Sequence, residues 1–415
     1  MIKALAAYTA EVDDVNLAVE QIKSQLGNLD DGLFKNTIGI ISCHYEYVNS
    51  GVFKAICDTL PFETVGTISS AQSVPGVFNT LLFTLLVLTS DDVAFIKTLT
   101  PSLTSEPGKH ITEAYTAACR SAAAGNSAAA DRNTAANRNA AAGGGGEKPD
   151  LILVFAPFMI QNSGDEYVNV LSDISGGAPC FGTIAVDDTL DFSNCFLLAD
   201  GEYYRDKMAL VLFYGEGGGK VKPKFYVANI SENRMLSTSA VVTKSAGPVL
   251  MEVNERPVIE YFDNLGLVKA SETQYAMSSL PFLLDYNDGT PKVSKIFVAL
   301  TPEKFAICAG AMPEGSTLYM ATTDRDDVLL TTSDAIDSIV KDIPDSSVIL
   351  VYSCISRSMT LAADQFMEME LLNEKIAEKL PYMMVFSGGE ICPTHLSSDK
   401  AINRFHNNAF IACLF

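Results

Sequence analysis

Uninterrupted apolar blocks recur three times along the chain, at residues 37–42, 151–156 and 348–353. A block without polar alternation fits a strand buried on both faces of a parallel sheet. Each is followed by a polar loop and then by apolar residues at helical spacing. These are Val52, Ile56 and Leu60; Tyr167, Val170, Leu171 and Ile174; and Phe366, Met369, Leu372, Ile376 and Leu380. A proline then stops each helix (Pro61, Pro179, Pro381) ahead of a second apolar segment at 64–68, 180–184 or 382–387. Further apolar segments at 81–88, 208–213 and 409–415 close the units. The pattern predicts an α/β protein of repeated β-α-β-β units, with right-handed crossovers, forming two mixed-sheet domains with helices packed on the sheets. Gly66-Thr67-Ile68 and Gly182-Thr183-Ile184 suggest that the first two units are diverged copies.

The stretch between the second and third units has a different texture. Segments 225–230, 239–244 and 249–253 read as short strands, followed by a helix with Pro257 in its first turn and Gly266 at its end. Segments 296–300, 306–310 and 317–322 read as a second antiparallel set, and a helix over 326–341 leads into the third unit. The expected division is a first domain over 1–215, a glycine-rich hinge over 216–223 and a second domain over 224–415. Residues 121–146, rich in Ala, Asn and Gly, read as a frayed helix or flexible insertion. The run Gly215–Lys220 lacks phosphate-loop spacing, and Val221 stands where a hydroxyl is required.

Composition narrows the function classes. With 48% hydrophobic and 19% charged residues the chain is an ordinary globular protein. A formal charge of −21 repels phosphate backbones and anionic membranes, so neither nucleic acid nor a membrane is expected as a partner. Nine cysteines without a C-x-x-C pair read as reduced, mostly buried thiols. The longest apolar run, 81–88, falls far short of the roughly 20 residues of a membrane span. Lys3 followed by Glu11, Asp13 and Asp14 does not make a signal peptide, so a cytoplasmic location is expected.

Three ordered motifs close the chain: Ser353-Cys354 with Arg357, Gly389-Glu390 with Pro393, and Phe405-His406-Asn407. Together with Val65-Gly66-Thr67, Phe181-Gly182-Thr183 and the segment 205–209, they resemble the FIST family, over roughly residues 35–415 apart from the Ala-rich insertion. The resemblance implies a sensory protein of signal transduction that binds a small molecule, such as an amino acid or small carboxylate. Some family members are described as haem-based nitric oxide sensors. Members often carry an output domain; here the chain ends at Phe415 in its last strand, which implies a separate signalling output protein as partner.

In open α/β sheets ligands bind beyond the carboxyl ends of the parallel strands. There the units offer His44, Glu46, Ser69, Ser70 and Gln72; Gln161, Asn162, Asp165, Glu166, Asp187 and Asp188; and Ser353, Cys354, Arg357, Ser387 and Glu390. Arg357 is the natural grip for a ligand carboxylate and Glu390 or Asp187 for an ammonium, unless Arg357 and Glu390 pair with each other. Cys354 as a nucleophile of a hydrolase or transferase would need a histidine beside it, and a structural thiol is the simpler account. Glu390, Cys392, His395 and Cys354 match no zinc spacing. The pairs Asp91-Asp92 and Asp187-Asp188 read as turn residues. His406, then His44 and His395, would be the axial ligands if haem were bound. No catalytic motif stands in a fitting context, so a non-enzymatic ligand binder with no cofactor is expected, its site built from Arg357, Glu390, Ser353, Cys354, Asp187, Asp188, His44, His406 and Asn407.

Overall fold

The computed structural model describes residues 2–27, 32–130, 148–159, 161–189, 192–215, 221–267, 276–397 and 400–415. Strand β1 (Lys3–Thr9) and helix α1 (Val15–Leu26) lead to β2 (Asn36–Cys43). Asp14 caps α1, accepting from the Asn16 and Leu17 amides. Short helices α2 (Glu46–Asn49) and α3 (Val52–Cys57) cross to β3 (Glu63–Ile68). A small hairpin, β4 (Gln72–Val74) and β5 (Val77–Asn79), precedes the closing strand β6 (Phe83–Ser90).

The second unit repeats the order: β7 (Val93–Leu99), α4 (Pro107–Ala130), β8 (Leu151–Ala156), α5 (Gly164–Ile174), β9 (Cys180–Ile184), the hairpin β10 (Leu197–Ala199) and β11 (Glu202–Tyr204), and β12 (Ala209–Gly215). The Ala-rich segment begins as the end of α4, and residues 131–146 lie outside the described residues, as do 216–220 of the expected hinge. The third unit opens with β13 (Lys224–Ala228) and is then interrupted by β14 (Met235–Ala246), β15 (Val249–Val253), β16 (Arg256–Pro257), α6 (Val258–Asn264), β17 (Ala276–Asp285), β18 (Val293–Leu300), β19 (Ala306–Cys308) and β20 (Thr317–Ala321). It resumes with α7 (Arg325–Asp342), β21 (Ile349–Cys354), α8 (Ile355–Leu361), α9 (Met367–Ile376), β22 (Tyr382–Ser387), the hairpin β23 (Glu390–Leu396) and β24 (Ala401–His406), and β25 (Phe410–Leu414).

The expected β-α-β-β order therefore holds in each unit. The parallel pairs are β2–β3, β8–β9 and β21–β22, with β6, β12 and β25 antiparallel beside them. Two features extend it. An edge strand (β1, β7 or β13) flanks each closing strand, and each unit lends its hairpin to a neighbour's sheet. Hairpin β4–β5 joins β22, β10–β11 joins β3, and β23–β24 joins β9, so the exchange runs round a closed circle.

The registers define equivalent positions: Ile68 lies opposite Cys43, Ile184 opposite Ala156 and Phe386 opposite Ser353. At these ends the units are stitched in a ring. The Val186 amide donates to the Ile68 carbonyl and the Gly388 amide to the Ile184 carbonyl, while the Ser69 hydroxyl donates to the Phe386 carbonyl. Inward-facing residues of all three sheets, among them Ile40, Val65, Leu153, Phe181, Leu350 and Val385, share one interior. The Gly-Thr-Ile repeat has a steric cause. A Cβ at Gly66 would lie 1.6 Å from the Ile41 carbonyl oxygen and one at Gly182 2.2 Å from that of Val154. By register the third unit has Met384 at this place.

Within the inserted segment the strand order is β14-β20-β17-β18-β19-β15, and β14 also pairs with β15, closing a six-stranded barrel with β16 outside it. The strands and helices expected there are present. Lys295 of β18, fully buried, ties the barrel to the second unit. Its Nζ lies 3.0 Å from Asp165 Oδ2 and donates to the Phe405 carbonyl at 2.8 Å, while the Ala311 amide donates to Asp165 at 2.7 Å.

Candidate functional site

The exchanged hairpins begin at equivalent positions. The Phe386 amide donates to the Ala71 carbonyl at 3.2 Å, that of Ile68 to Phe196 at 3.1 Å, and that of Ile184 to Gly389 at 3.0 Å. Ala71, Phe196 and Gly389 thus occupy the same place over the outer face of three sheets. In the first unit Phe196 fills it, packed on Tyr203 with ring centroids 4.8 Å apart. In the second, Gly389 makes room for Phe405, whose ring reaches within 2.3 Å of where a Gly389 Cβ would stand. In the third, Ala71 leaves space, and a cavity of about 230 Å³ opens there. Its walls come from all three units: Ser70, Ala71 and Thr80; Asp187, Asp188, Thr189 and Phe192; and Ile355, Ser358, Met359, Ala362, Gln365 and Phe386.

The polar groups in these walls are unequally available. The Asp187 carboxylate accepts from the Thr189 amide at 3.1 Å, the Thr189 hydroxyl at 2.7 Å and the Asn194 amide at 2.8 Å, so it organises its own loop as a turn residue. Asp188 is half exposed, with Oδ2 3.3 Å from His44 Nε2 but not aligned as a hydrogen bond. His44 Nδ1 accepts from the Glu46 amide at 3.4 Å, which leaves the proton on the nitrogen facing Asp188. The buried Ser70 hydroxyl has no hydrogen-bond partner among the described residues. No Lys, Arg or His is among the described lining residues. The neighbouring Tyr45 phenol is held above its ordinary value, first by its hydrogen bond with Glu46 and further by the Asp188 and Asp187 charges.

The other expected site residues lie elsewhere. Arg357, 1% exposed, donates through Nε to Glu368 Oε1 at 2.9 Å and through Nη2 to the Val328 carbonyl at 3.0 Å and the Thr332 hydroxyl at 2.8 Å. Ser353 donates to the other Glu368 oxygen at 2.6 Å. The expectation that Arg357 grips a ligand or pairs with Glu390 is therefore corrected: its hydrogen-bonded carboxylate partner is Glu368. Because α8 starts directly after β21, residue 357 turns towards α7 and α9 rather than the cavity. Glu368, a lone carboxylate within the apolar stripe of α9, was the signal for this pairing.

Glu390 is fully buried and directly opposite His406 in the β23–β24 register. Among the described residues neither carboxyl oxygen makes a well-aligned hydrogen bond. Burial pushes its pKa well above the usual range, outweighing the lowering by Ser387, Cys354, the Ala409 amide and Arg357. Burial, then the Glu390 charge, raises Cys354 as well, and its sulfur accepts from the Ser356 hydroxyl at 3.2 Å. That keeps the thiol protonated, the opposite of what an activated nucleophile needs. His406 Nε2 faces the Cys392 carbonyl at 3.2 Å, and burial pushes the ring down to about 3. The Asn407 amide donates to the Ser294 carbonyl of the barrel at 3.0 Å, and His395 is exposed. Among the described residues no three His, Cys, Asp or Glu side chains are grouped to hold a metal ion. Asp91 accepts from the Lys35 amide at 3.1 Å, a contact between segments far apart in the chain.

No helix among the described residues is long and apolar enough to cross a membrane. No curated protein matches the chain. The FIST N domain, however, matches residues 37–256 and the FIST C domain residues 260–393. The chain belongs to the FIST family, whose domains are sensory domains of signal transduction.

Proposed function

We propose that this protein is a small-molecule sensor whose ligand lodges in the cavity beneath Ala71. The observation that carries the reading is that three units which seal the equivalent place twice, with Phe196 and with Phe405, leave it open once, with walls from all three. A ligand there touches residues from both halves of the chain, so occupancy would bias their relative packing and be read by a separate output protein. A carboxylate is not gripped by Arg357 in this reading, because the buried guanidinium already donates to Glu368, the Val328 carbonyl and the Thr332 hydroxyl. The reading makes no use of haem, since no histidine is among the described residues that line the cavity. The buried, protonated Cys354 supports binding rather than catalysis.

Ala71→Phe, which copies the residue at the equivalent place of the first unit, tests the reading. Amines, amino acids and small carboxylates are screened by thermal shift, since a ligand that binds only the native state raises Tm. At least one compound is expected to stabilise the parent protein and to lose that effect in Ala71→Phe. Stabilisation that survives the plugged cavity would place the ligand elsewhere.

A further inference from the structure

We propose that the cavity selects a compact organic cation, an alkylammonium with a short branched or linear apolar body; this rests on the cavity being the ligand site. Three observations converge on that class. First, charge: the only ionisable side chains in the described walls are Asp187 and Asp188, and Glu46 lies close beside them. Asp187 is consumed by its own loop, whereas among the described residues nothing donates a well-aligned hydrogen bond to Asp188, which stands half exposed at the cavity wall. An ammonium group there would gain a charge-assisted hydrogen bond, while a carboxylate would meet like charge with no basic residue among the described lining residues, the nearby His44 lying behind Asp188 and outside that lining.

Second, an unsatisfied acceptor: the Ser70 hydroxyl is 6% exposed, lines the cavity and has no hydrogen-bond partner among the described residues. A buried hydroxyl without a partner costs free energy that a ligand donor would recover. Third, shape: at about 230 Å³ the space lies below the roughly 300–1,000 Å³ of drug-sized pockets, and Ala71, Ile355, Phe192 and Phe386 make much of its wall apolar. The ligand is thus small and apolar over most of its length, with its charge at the Asp188 end.

Matched series of C3 to C6 alkylammonium ions, the corresponding alcohols and the corresponding carboxylates test this by titration calorimetry on the full chain. The best ammonium ion should bind at least about tenfold more tightly than its alcohol, and its carboxylate should not bind. Asp188→Asn, at a half-exposed position, should weaken the ammonium ion by at least about tenfold and leave the alcohol unchanged. Ala71→Phe should abolish both; if that variant does not fold, Met359→Trp at the exposed cavity rim serves instead. If an alcohol or carboxylate binds as well as the ammonium ion, or Asp188→Asn binds it normally, the cation assignment fails while a cavity blocked by Ala71→Phe still stands. If ammonium binding survives the blocked cavity, the site itself is wrong and the inference falls with it. Absence of binding by every ammonium ion also overturns the assignment.

Discussion

A charge taken out of water must be matched by a partner, and the Arg357–Glu368 pair meets that demand with donors from Ser353 and Thr332 completing the carboxylate's shell. Arg357→Ala would leave Glu368 buried and unpaired, and should cost about 3–5 kcal/mol in denaturant unfolding. Replacing both partners, as Arg357→Met with Glu368→Leu, should recover most of that loss; a mild single variant would show the pair to be dispensable. Glu390 and His406 are matched less well and make stability depend on pH. His406 is depressed to about 3 when folded against 6.5 unfolded, so the unfolded chain takes up a proton that the native state refuses, and stability falls as pH drops below 6.5. Glu390 is raised well above 4.5, so its contribution is complete below that value and is lost as pH rises towards its folded pKa. Where both groups differ in protonation between the folded and unfolded chain, the two effects oppose one another. Glu390→Gln should therefore lessen the loss of Tm as pH rises from 4.5 towards the folded pKa of Glu390, and an unchanged Tm–pH profile would mean the carboxyl is not the group responsible.

At the scale of elements, the close approach of β9 to β8 at Gly182 leaves no room for a methyl group, since the obstructing atom is the Val154 backbone carbonyl. Gly182→Ala should cost roughly 2–3 kcal/mol through forced strand displacement, with a drop in Tm as the measurement. The same substitution in an open turn such as Gly315, where nothing lies within 4 Å but φ is +85°, tests backbone strain instead and separates the two causes. The strands and helices of each unit were legible because a doubly buried strand needs a continuous apolar block and a helix lying on it needs a stripe. The repeated Gly-Thr-Ile also pointed to equivalent places. The hairpins β4–β5 and β10–β11 were not legible, because each of those strands has only three residues, too short for a period of two to register. Arg357 and Glu390 were placed correctly near strand ends, but which face each would take depends on how tightly α8 follows β21, and a linear pattern carries no such angle. The cavity was legible only in part: Ser70, Asp187 and Asp188 were among the expected residues, while the role of Ala71 emerges only by comparison with Phe196 and Gly389.

The hairpin exchange makes the whole molecule interdependent. The sheet of β8 and β9 takes its outer strands β23 and β24 from residues 390–406, and the sheet of β21 and β22 takes β4 and β5 from residues 72–79. The interior they enclose draws on residues from Ile2 to Phe415. A fragment of residues 1–215 would thus expose one face of its own strands β2, β3, β8 and β9, leave the β9 edge unpaired and strand the β4–β5 hairpin without its sheet. A fragment of residues 221–415 would lack the partners of β23 and β22 in the same way. Neither should fold alone: each is expected to show no cooperative thermal transition and to aggregate, as judged by circular dichroism and size-exclusion chromatography. Produced together they should assemble, because every lost pairing lies between the fragments rather than across the cut. A cooperative transition in the isolated 1–215 fragment would instead show that the first two units pack adequately without the third, and that signalling could proceed by separation of the halves. If only the assembled pair is stable, a ligand beneath Ala71 must act by shifting the packing of units that stay interlocked.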